Sequence, residues 1–149
     1  MSESTLTWQH APFNLAWRTY RALSPEIAKL SPQLLTLLDA LDAHVAGRLF
    51  VHRTWHGGGG GGQHPLGTAF DGRIVGMSIL EQFIEITRFP WGGVGLYGSD
   101  VWRNPGFHVD VRETKDNRQA RWACRMLAGV RTYDALTDQY IRRQIADGA

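Results

Sequence analysis

Cysteine is almost absent from this chain. Cys124 is the only cysteine in 149 residues, which excludes an intramolecular disulfide and a zinc site built from several thiolates. Its ordinary interpretation is a small buried hydrophobic residue. At this length, with a hydrophobic fraction of 43%, the chain can bury one core without cross-links. We therefore expect a single domain over residues 1–149, with residues 1–12 as a flexible arm.

Long apolar runs are also missing. No stretch reaches the roughly 18 consecutive apolar residues that identify a membrane-spanning helix. The opening MSESTLTWQH has neither the basic nor the apolar region of a signal peptide. These absences predict no membrane insertion and a cytoplasmic location as synthesised. Action in the periplasm or cell wall would then need a separately made pore or delivery by a phage particle.

Charge of one sign is not concentrated anywhere. The formal net charge is +2, and Arg142–Arg143 is the one adjacent pair of arginines. Because nucleic-acid-binding domains carry basic patches or tracts, nucleic acid is not expected as a partner.

Helices are predicted from hydrophobic periodicity and from their start signals. A first helix is expected within residues 14–30. The clearest helix lies in LSPQLLTLLDALDAHVAG, where Ser31 is the N-cap and Pro32 occupies the first turn. Another lies in MSILEQFIEITR, where Ser78 and Glu81 form a capping box.

Four strands are predicted in RLFVHRT, GTAFDGRIV, GGVGLYG and GFHVDVR. A closing helix is expected in DALTDQYIRRQIADG, with Ala135, Tyr140 and Ile141 facing inward. Helices that flank a few strands indicate an α+β fold with a small antiparallel or mixed sheet.

Three side chains that can bind metal stand near the ends of these strands. QHPLGTAFD places His64 and Asp71 on either side of a tight turn, and FHVDVR places His108, Asp110 and Arg112 on one strand face. Two imidazoles, one carboxylate and an open position are the ligands of a catalytic zinc ion. Each residue also has an ordinary alternative: a structural histidine, a turn aspartate or a solvated ion pair. Spacing alone leaves both interpretations open.

QHPLGTAFD resembles the S-x-H-x-x-G-x-A-x-D signature of the zinc D-alanyl-D-alanine peptidases, the superfamily of the vancomycin-resistance dipeptidases and of the Hedgehog metal-binding domain. GVGLYGSDVWRNPGFHVDVR resembles the second signature of that superfamily, and the resemblance covers roughly residues 30 to 125. It implies a Hedgehog-like fold and hydrolysis of a peptide bond in peptidoglycan. It further implies that Zn²⁺ is bound by His64, Asp71 and His108. The small motif residues that shape the turn and leave packing room beneath it are Gly67 and Ala69.

The chain departs from the family pattern at two positions. Gly62 replaces the signature serine, and Pro105 stands where several branches carry an acidic general base. The candidates for the base are Asp110, which strand periodicity places on the His108 face, and Asp100 in the preceding loop. An equal alternative for Asp110 is to orient a ligand histidine.

Substrate-binding residues are also implied by the resemblance. Many members use an arginine from the strand before the first ligand to bind the substrate carboxylate, and Arg53 is the nearest match. A guanidinium suits this role because it offers a planar fork to a carboxylate. The alternative for Arg53 is an arginine at the sheet edge without a role. Further polar candidates are His52 and His56, and candidates for aromatic walls are Trp55, Trp91 and Trp102.

The six consecutive glycines of Gly57–Gly62 have two interpretations. They form an adaptable rim that closes over an extended peptide, or a solvent loop without a role. A phosphate-binding loop is excluded because no Gly-Lys-Ser/Thr follows.

The sequence thus predicts a zinc metallopeptidase that acts on peptidoglycan peptides as a carboxypeptidase or an endopeptidase. A phage-type lysin and a cytosolic enzyme of muropeptide recycling are the two settings. The alternative is a zinc-containing binding protein or virion component of the same fold without catalysis, which Pro105 favours.

Overall fold

The computed structural model describes residues 29–54 and 62–146. The predicted arm over residues 1–12 and nearly all of the helix predicted within 14–30 lie outside these ranges, as do Trp55, His56 and most of the glycine run. Helices α1–α3 and strands β1–β6 are numbered within the described residues.

Helix α1 spans Pro32–His44 and confirms the prediction for this segment. The Ser31 hydroxyl accepts a hydrogen bond from the backbone N–H of Leu34 at 3.1 Å, which satisfies one of the free donors at the helix start. Leu34, Leu38 and Leu41, at helical spacing, are fully buried. This apolar stripe is the face that α1 packs into the core.

The remaining helices are shorter. Helix α2 spans Ile79–Ile86 and has the predicted capping box, in which the side chains of Ser78 and Glu81 each bind the backbone N–H of the other. Helix α3 spans Asp138–Ala146 and buries Tyr140. Of the described helices, not one combines the length and apolarity that crossing a membrane requires.

The strands form one six-stranded sheet of order β1-β2-β4-β3-β5-β6, in which β3 and β5 are parallel and the other neighbours are antiparallel. Their bounds are Leu49–Arg53, Ala69–Ile74, Gly93–Tyr97, Gly106–Asp110, Ala120–Leu127 and Val130–Ala135 for β1 to β6. The mixed sheet with its helices confirms the predicted α+β class.

One face of the sheet is covered by the helices, and we call it the covered face. Alternate residues of the central strands enter the core there, among them Phe70, Val94, Phe107 and Val109. The opposite face, which carries Asp71, His108 and Trp122, is called the open face. The core therefore fixes the strands from one side and leaves the other side to the polar groups.

The prediction was wrong for the C-terminal part of the chain. Strands β5 and β6 were not predicted, and Ala135 is an exposed residue at the end of β6 rather than an inward residue of a helix. The closing helix begins only at Asp138. Tyr140 is buried and Ile141 half-buried, as predicted for these two positions. Two strands and a hairpin turn thus extend the sheet beyond the predicted four.

Candidate metal centre

His64, Asp71 and His108 are brought together by a turn and two neighbouring strands. His64 begins a 3-10 turn over His64–Leu66, which leads directly into β2. Asp71 on β2 and His108 on β4 are direct partners in the antiparallel ladder. Side chains of directly opposed residues point to the same face of a sheet, so the pairing places both groups on the open face.

The three side chains lie close enough to share one cation. The Nε2 atom of His64 is 3.1 Å and the Nδ1 atom of His108 is 2.8 Å from the same oxygen, Oδ1 of Asp71. The three potential ligand atoms all lie within 4.8 Å of one another. The group thus converges on one point, as the sequence predicted.

Hydrogen bonds on the far side of each imidazole ring determine which of its nitrogens faces the shared oxygen of Asp71. The Nδ1 atom of His64 lies 2.5 Å from the carbonyl oxygen of Thr54, to which it donates, so Nε2 keeps its lone pair. The Nε2 atom of His108 lies 2.7 Å from Oδ2 of Asp110. In the neutral imidazole, a proton held on Nε2 leaves the lone pair of Nδ1 for a metal. Ligand histidines in metal sites are oriented by such partners.

The electrostatics of the group favour positive charge. Burial would lower the pKa of His108, but its hydrogen bonds to Asp110 and Asp71 raise it to about 9. Burial would likewise raise the pKa of Asp71, yet the bonds and charges of His108 and His64 hold it below its ordinary value. Two ionised carboxylates therefore flank His108. This charge pattern and the N, N, O donor set both suit a divalent cation such as Zn²⁺.

Asp110 lies behind His108, on the side away from Asp71. It is fully buried and forms an ion pair with Arg112, with Nη2 of Arg112 2.6 Å from Oδ2. Burial opposes ionisation, but hydrogen bonds from His108 and Arg112 lower the pKa of Asp110 to about 2. This position fits the second of the two roles that the sequence left open for Asp110, the orientation of a ligand histidine.

Glycines at three positions allow neighbouring groups to approach the backbone closely around the site. Gly67 has φ +73°, and a Cβ there would lie 2.0 Å from the carbonyl oxygen of Lys29, so the tight turn requires glycine. A Cβ on Gly93 would lie 2.6 Å from Oδ2 of Asp110. A Cβ on Gly95 would lie 2.4 Å from the indole of Trp122. The glycine-rich strand β3 thus provides space for the groups beside it.

Arg53 lies opposite Asp71 across the β1–β2 ladder, where the register shifts between Val51 and Arg53. Its side chain is exposed and lines the cavity over the metal-binding group. His52 also lines the cavity, and its Nε2 atom lies 3.0 Å from the guanidinium of Arg73. Both residues of β1 that the sequence analysis named, Arg53 and His52, thus line the cavity over the metal-binding group.

The cavity over the open face has a volume of about 880 Å³. Among the described residues that line it, Asp71 is the only acidic one, whereas four arginines take part: Arg53, Arg103, Arg112 and Arg131. Of these, Arg112 is paired with Asp110. The cavity is therefore cationic around a single acidic ligand and suits an anionic molecule.

Aromatic rings form much of the floor. Trp102 stacks on Tyr97 with ring centroids 4.3 Å apart, and Trp122 lies 5.2 Å from the ring of His108. Trp102 was predicted as a wall. The prediction for Trp91 was wrong, because this residue is 2% exposed in the core and donates its indole N–H to the carbonyl of Ile86.

Two further residues named from the sequence lie away from the metal-binding group. Asp100 is exposed, and its Oδ2 accepts a hydrogen bond from the backbone N–H of Met126 at 2.8 Å. It lines a different, smaller cavity together with Pro105. Neither residue lines the cavity that contains His64 and His108.

Sequence reasoning missed the cavity residues of β5 and β6, which are Trp122, Arg131 and Tyr133. A signal for their hairpin was present at Gly129. Ala128 and Gly129 both have positive φ, at 50° and 76°, as a two-residue hairpin turn requires.

The chain was also compared with protein-family models, curated proteins and solved structures, and none of them matches it.

Proposed function

We propose that the chain is a zinc-dependent peptidase with a Hedgehog-like fold that hydrolyses peptide bonds in peptidoglycan stem or cross-link peptides. The observation that carries the proposal is the convergence of His64, Asp71 and His108 within 4.8 Å in an open cationic cavity. The motif resemblance of QHPLGTAFD and GFHVDVR supports the choice of zinc and of a peptide substrate.

His64, Asp71 and His108 would hold the metal and leave one position open toward the cavity. Zn²⁺ in such a site supplies a Lewis acid for a substrate carbonyl and for a water molecule. The Thr54 carbonyl keeps Nε2 of His64 directed at the site, and Asp110 does the same for Nδ1 of His108. These contacts hold the donor atoms in place before the metal binds.

Arg53 would bind the substrate. Its guanidinium lies at the cavity wall, and no described carboxylate lies within ion-pairing distance of it. A terminal carboxylate held there would sit directly across one strand pair from Asp71. Such a contact orients the substrate carbonyl relative to the site and contributes to catalysis by positioning.

The alternative function is a zinc-containing binding protein or virion component without catalysis. One observation favours it: the described residues that line the cavity include no carboxylate other than Asp71. Asp110 is fully buried beside His108, and Pro105 stands where several branches of the resembled family carry an acidic base. In this case the same group would hold zinc, and the cavity would bind a peptide without cleaving it.

The deciding experiment measures bound zinc and peptide release from purified sacculi, for the wild type and for His108→Ala. The peptidase proposal predicts one zinc per chain and zinc-dependent release of peptides that mass spectrometry can identify. It also predicts the loss of both in the variant. Asp134→Ala is the matched control, because it removes a surface carboxylate paired with Arg125. Full zinc occupancy without any release would favour the binding protein, and release without metal would contradict both.

A further inference from the structure

The cavity runs across the whole sheet rather than ending at the metal-binding group. Every strand contributes to its lining: Arg53 from β1, Asp71 from β2, His108 from β4, Tyr97 from β3, Trp122 from β5, and Arg131 and Tyr133 from β6. The cavity is therefore a groove that crosses the strands from one edge of the sheet to the other.

The metal-binding group is off-centre in this groove. Its Asp71 and His108 lie on β2 and β4, the second and third strands in sheet order, so one strand lies on one side of this pair and three on the other. Neighbouring strands are about 4.8 Å apart. The short arm, toward Arg53, is thus about 5 Å wide, and the long arm, toward β6, extends about 14 Å from β4.

The long arm ends in a cationic wall. Arg131 and Tyr133 alternate on β6 and are both exposed. Arg103, from the loop between β3 and β4, lines the cavity as well. Within the described ranges, no carboxylate pairs with Arg131 or Arg103. Among residues 29–54 and 62–146, these guanidinium groups therefore have no counter-ion.

The register of the sheet sets how far this wall lies from the metal-binding group. His108 pairs with Gly95, Gly95 with Trp122, and Trp122 with Ala135, so Ala135 is level with His108 in the sheet. Tyr133 and Arg131 lie two and four residues from Ala135 along β6. With about 3.4 Å per residue along a strand and about 14 Å across, the Cα atom of His108 is roughly 16 Å from that of Tyr133 and roughly 20 Å from that of Arg131. An extended peptide covers these distances with five to six residues, at about 3.5 Å each.

We propose that the β5–β6 hairpin is a second recognition subsite, in which Arg131 and Tyr133 bind a carboxylate of an extended peptide about five residues from the bond held at His64, Asp71 and His108. This inference rests on the proposed function for the nature of the ligand. The aromatic floor of Tyr97, Trp102 and Trp122 lies between the two ends, and offers flat apolar surface to the intervening chain.

In this arrangement, the long arm holds the part of the peptide that precedes the cleaved bond. If Arg53 holds the carboxylate on the short side, the chain on the other side of the bond must leave across β3, β5 and β6. A substrate that fills only the short arm would leave the unpaired guanidinium of Arg131 without a partner. The groove therefore selects peptides with an acidic residue at a fixed distance from the bond, and not dipeptides.

The test measures binding of N-acetylated alanine hexapeptides with one glutamate at successive positions, each paired with its glutamine analogue. The full chain is treated with a chelator so that no hydrolysis intervenes, and affinity is measured by calorimetry. The wild type should prefer glutamate over glutamine about fivefold, the size of an exposed ion pair, when this residue lies about five residues before the last peptide bond. This preference should fall to about one in Arg131→Gln.

Two further variants keep the result decisive. Arg142→Gln removes an exposed arginine of α3 outside the groove and should keep the fivefold preference. Arg131→Glu should reverse it, so that lysine peptides bind better than glutamate peptides. A preference that survives in Arg131→Gln, or is absent from the wild type, overturns the subsite. Zinc-dependent cleavage without this preference would overturn the subsite alone, and the preference without cleavage would overturn only the peptidase proposal.

Discussion

The two faces of the sheet are built from the same strands but differ in what holds them. On the covered face, Phe70, Phe107 and Val109 are fully buried among apolar side chains. On the open face, the neighbouring Asp71 and His108 are held by hydrogen bonds and charge. Alternate residues along β2 and β4 thus belong to a hydrophobic core and to a polar site.

Neighbouring residues on one strand therefore contribute to different properties, one to the stability of the fold and the next to metal binding. The free energy of unfolding should depend mainly on the covered face, because burial of apolar area is the dominant favourable contribution to folding. Metal affinity should depend mainly on the open face. Substitutions one residue apart on the same strand should therefore have different consequences.

The largest effect is expected from Phe107→Ala. Phe107 is fully buried on the covered face beside Phe70, with ring centroids 6.2 Å apart. Truncation removes the buried ring and leaves a cavity, which should lower the free energy of unfolding by about 3–5 kcal/mol. Urea denaturation in the absence of metal measures this loss. Leu66→Ala is the control, because Leu66 is 67% exposed and its truncation should change stability by less than about 0.5 kcal/mol. Equal effects of both variants would contradict the assignment of the core.

The next effect is the stabilisation by zinc. At a free zinc concentration 100 times the dissociation constant, binding to the folded state alone should raise the free energy of unfolding of the wild type by about 2.7 kcal/mol. Asp71→Asn replaces the carboxylate that both histidines contact with a neutral amide, a much weaker ligand, and should lose most of this zinc-dependent increase at the same concentration. Thermal or urea unfolding with and without zinc measures the difference. Asp134→Asn, outside the group, should retain it, and a full zinc response in Asp71→Asn would show that the metal binds elsewhere.

A smaller effect on zinc affinity is expected from Asp110→Asn. The asparagine can still accept the Nε2–H hydrogen bond of His108 but loses the charge and the ion pair with Arg112. Partners that orient ligand histidines contribute about 10–100-fold to metal affinity. Because the hydrogen bond remains, we expect a loss at the low end, about tenfold, in a competition titration with a chromophoric chelator. An unchanged affinity would mean that Asp110 does not orient His108.

The metal-binding group was predicted from the resemblance of two motifs, since spacing alone left it open, and the structure shows local causes for that spacing. A turn joins His64 to the strand of Asp71, and Gly67 with φ +73° is the residue that such a turn demands. The alternation in FHVDVR put His108 and Asp110 on one face. It could not show that Asp110 lies behind the imidazole, because the position of one side chain relative to another depends on rotamers and on Arg112.

The long arm of the groove was missed because β5 reverses the usual pattern. Its apolar Trp122 and Cys124 face the open side, whereas Arg121 and Arg125 alternate with them on the other. The period-two pattern that marks a half-buried strand therefore carries no clear polarity here. The hairpin turn contains Gly129 but neither asparagine nor aspartate, so the strongest local signal for a hairpin is also weak.

The smallest effects are expected when a methyl group is added at one glycine on each face of the sheet. A Cβ on Gly95 would lie 2.4 Å from the Trp122 indole, which borders an open cavity and can tilt outward. A Cβ on Gly72 would lie 2.4 Å from the carbonyl oxygen of Phe50, which is backbone, and 2.4 Å from the ring of Phe70, which is fully buried. Overpacking costs about 1–3 kcal/mol, and glycine in a strand is itself unfavourable by roughly 0.5–1 kcal/mol relative to alanine.

We therefore expect Gly95→Ala to change the free energy of unfolding by less than about 1 kcal/mol, and Gly72→Ala to lower it by about 1–2 kcal/mol. Gly95→Ala should instead alter the tryptophan fluorescence, because the indole of Trp122 must shift beside His108. Urea denaturation followed by fluorescence gives both quantities from one titration. If Gly95→Ala proves as destabilising as Gly72→Ala, then Trp122 is a fixed part of the packing, and the open face is as rigid as the covered one.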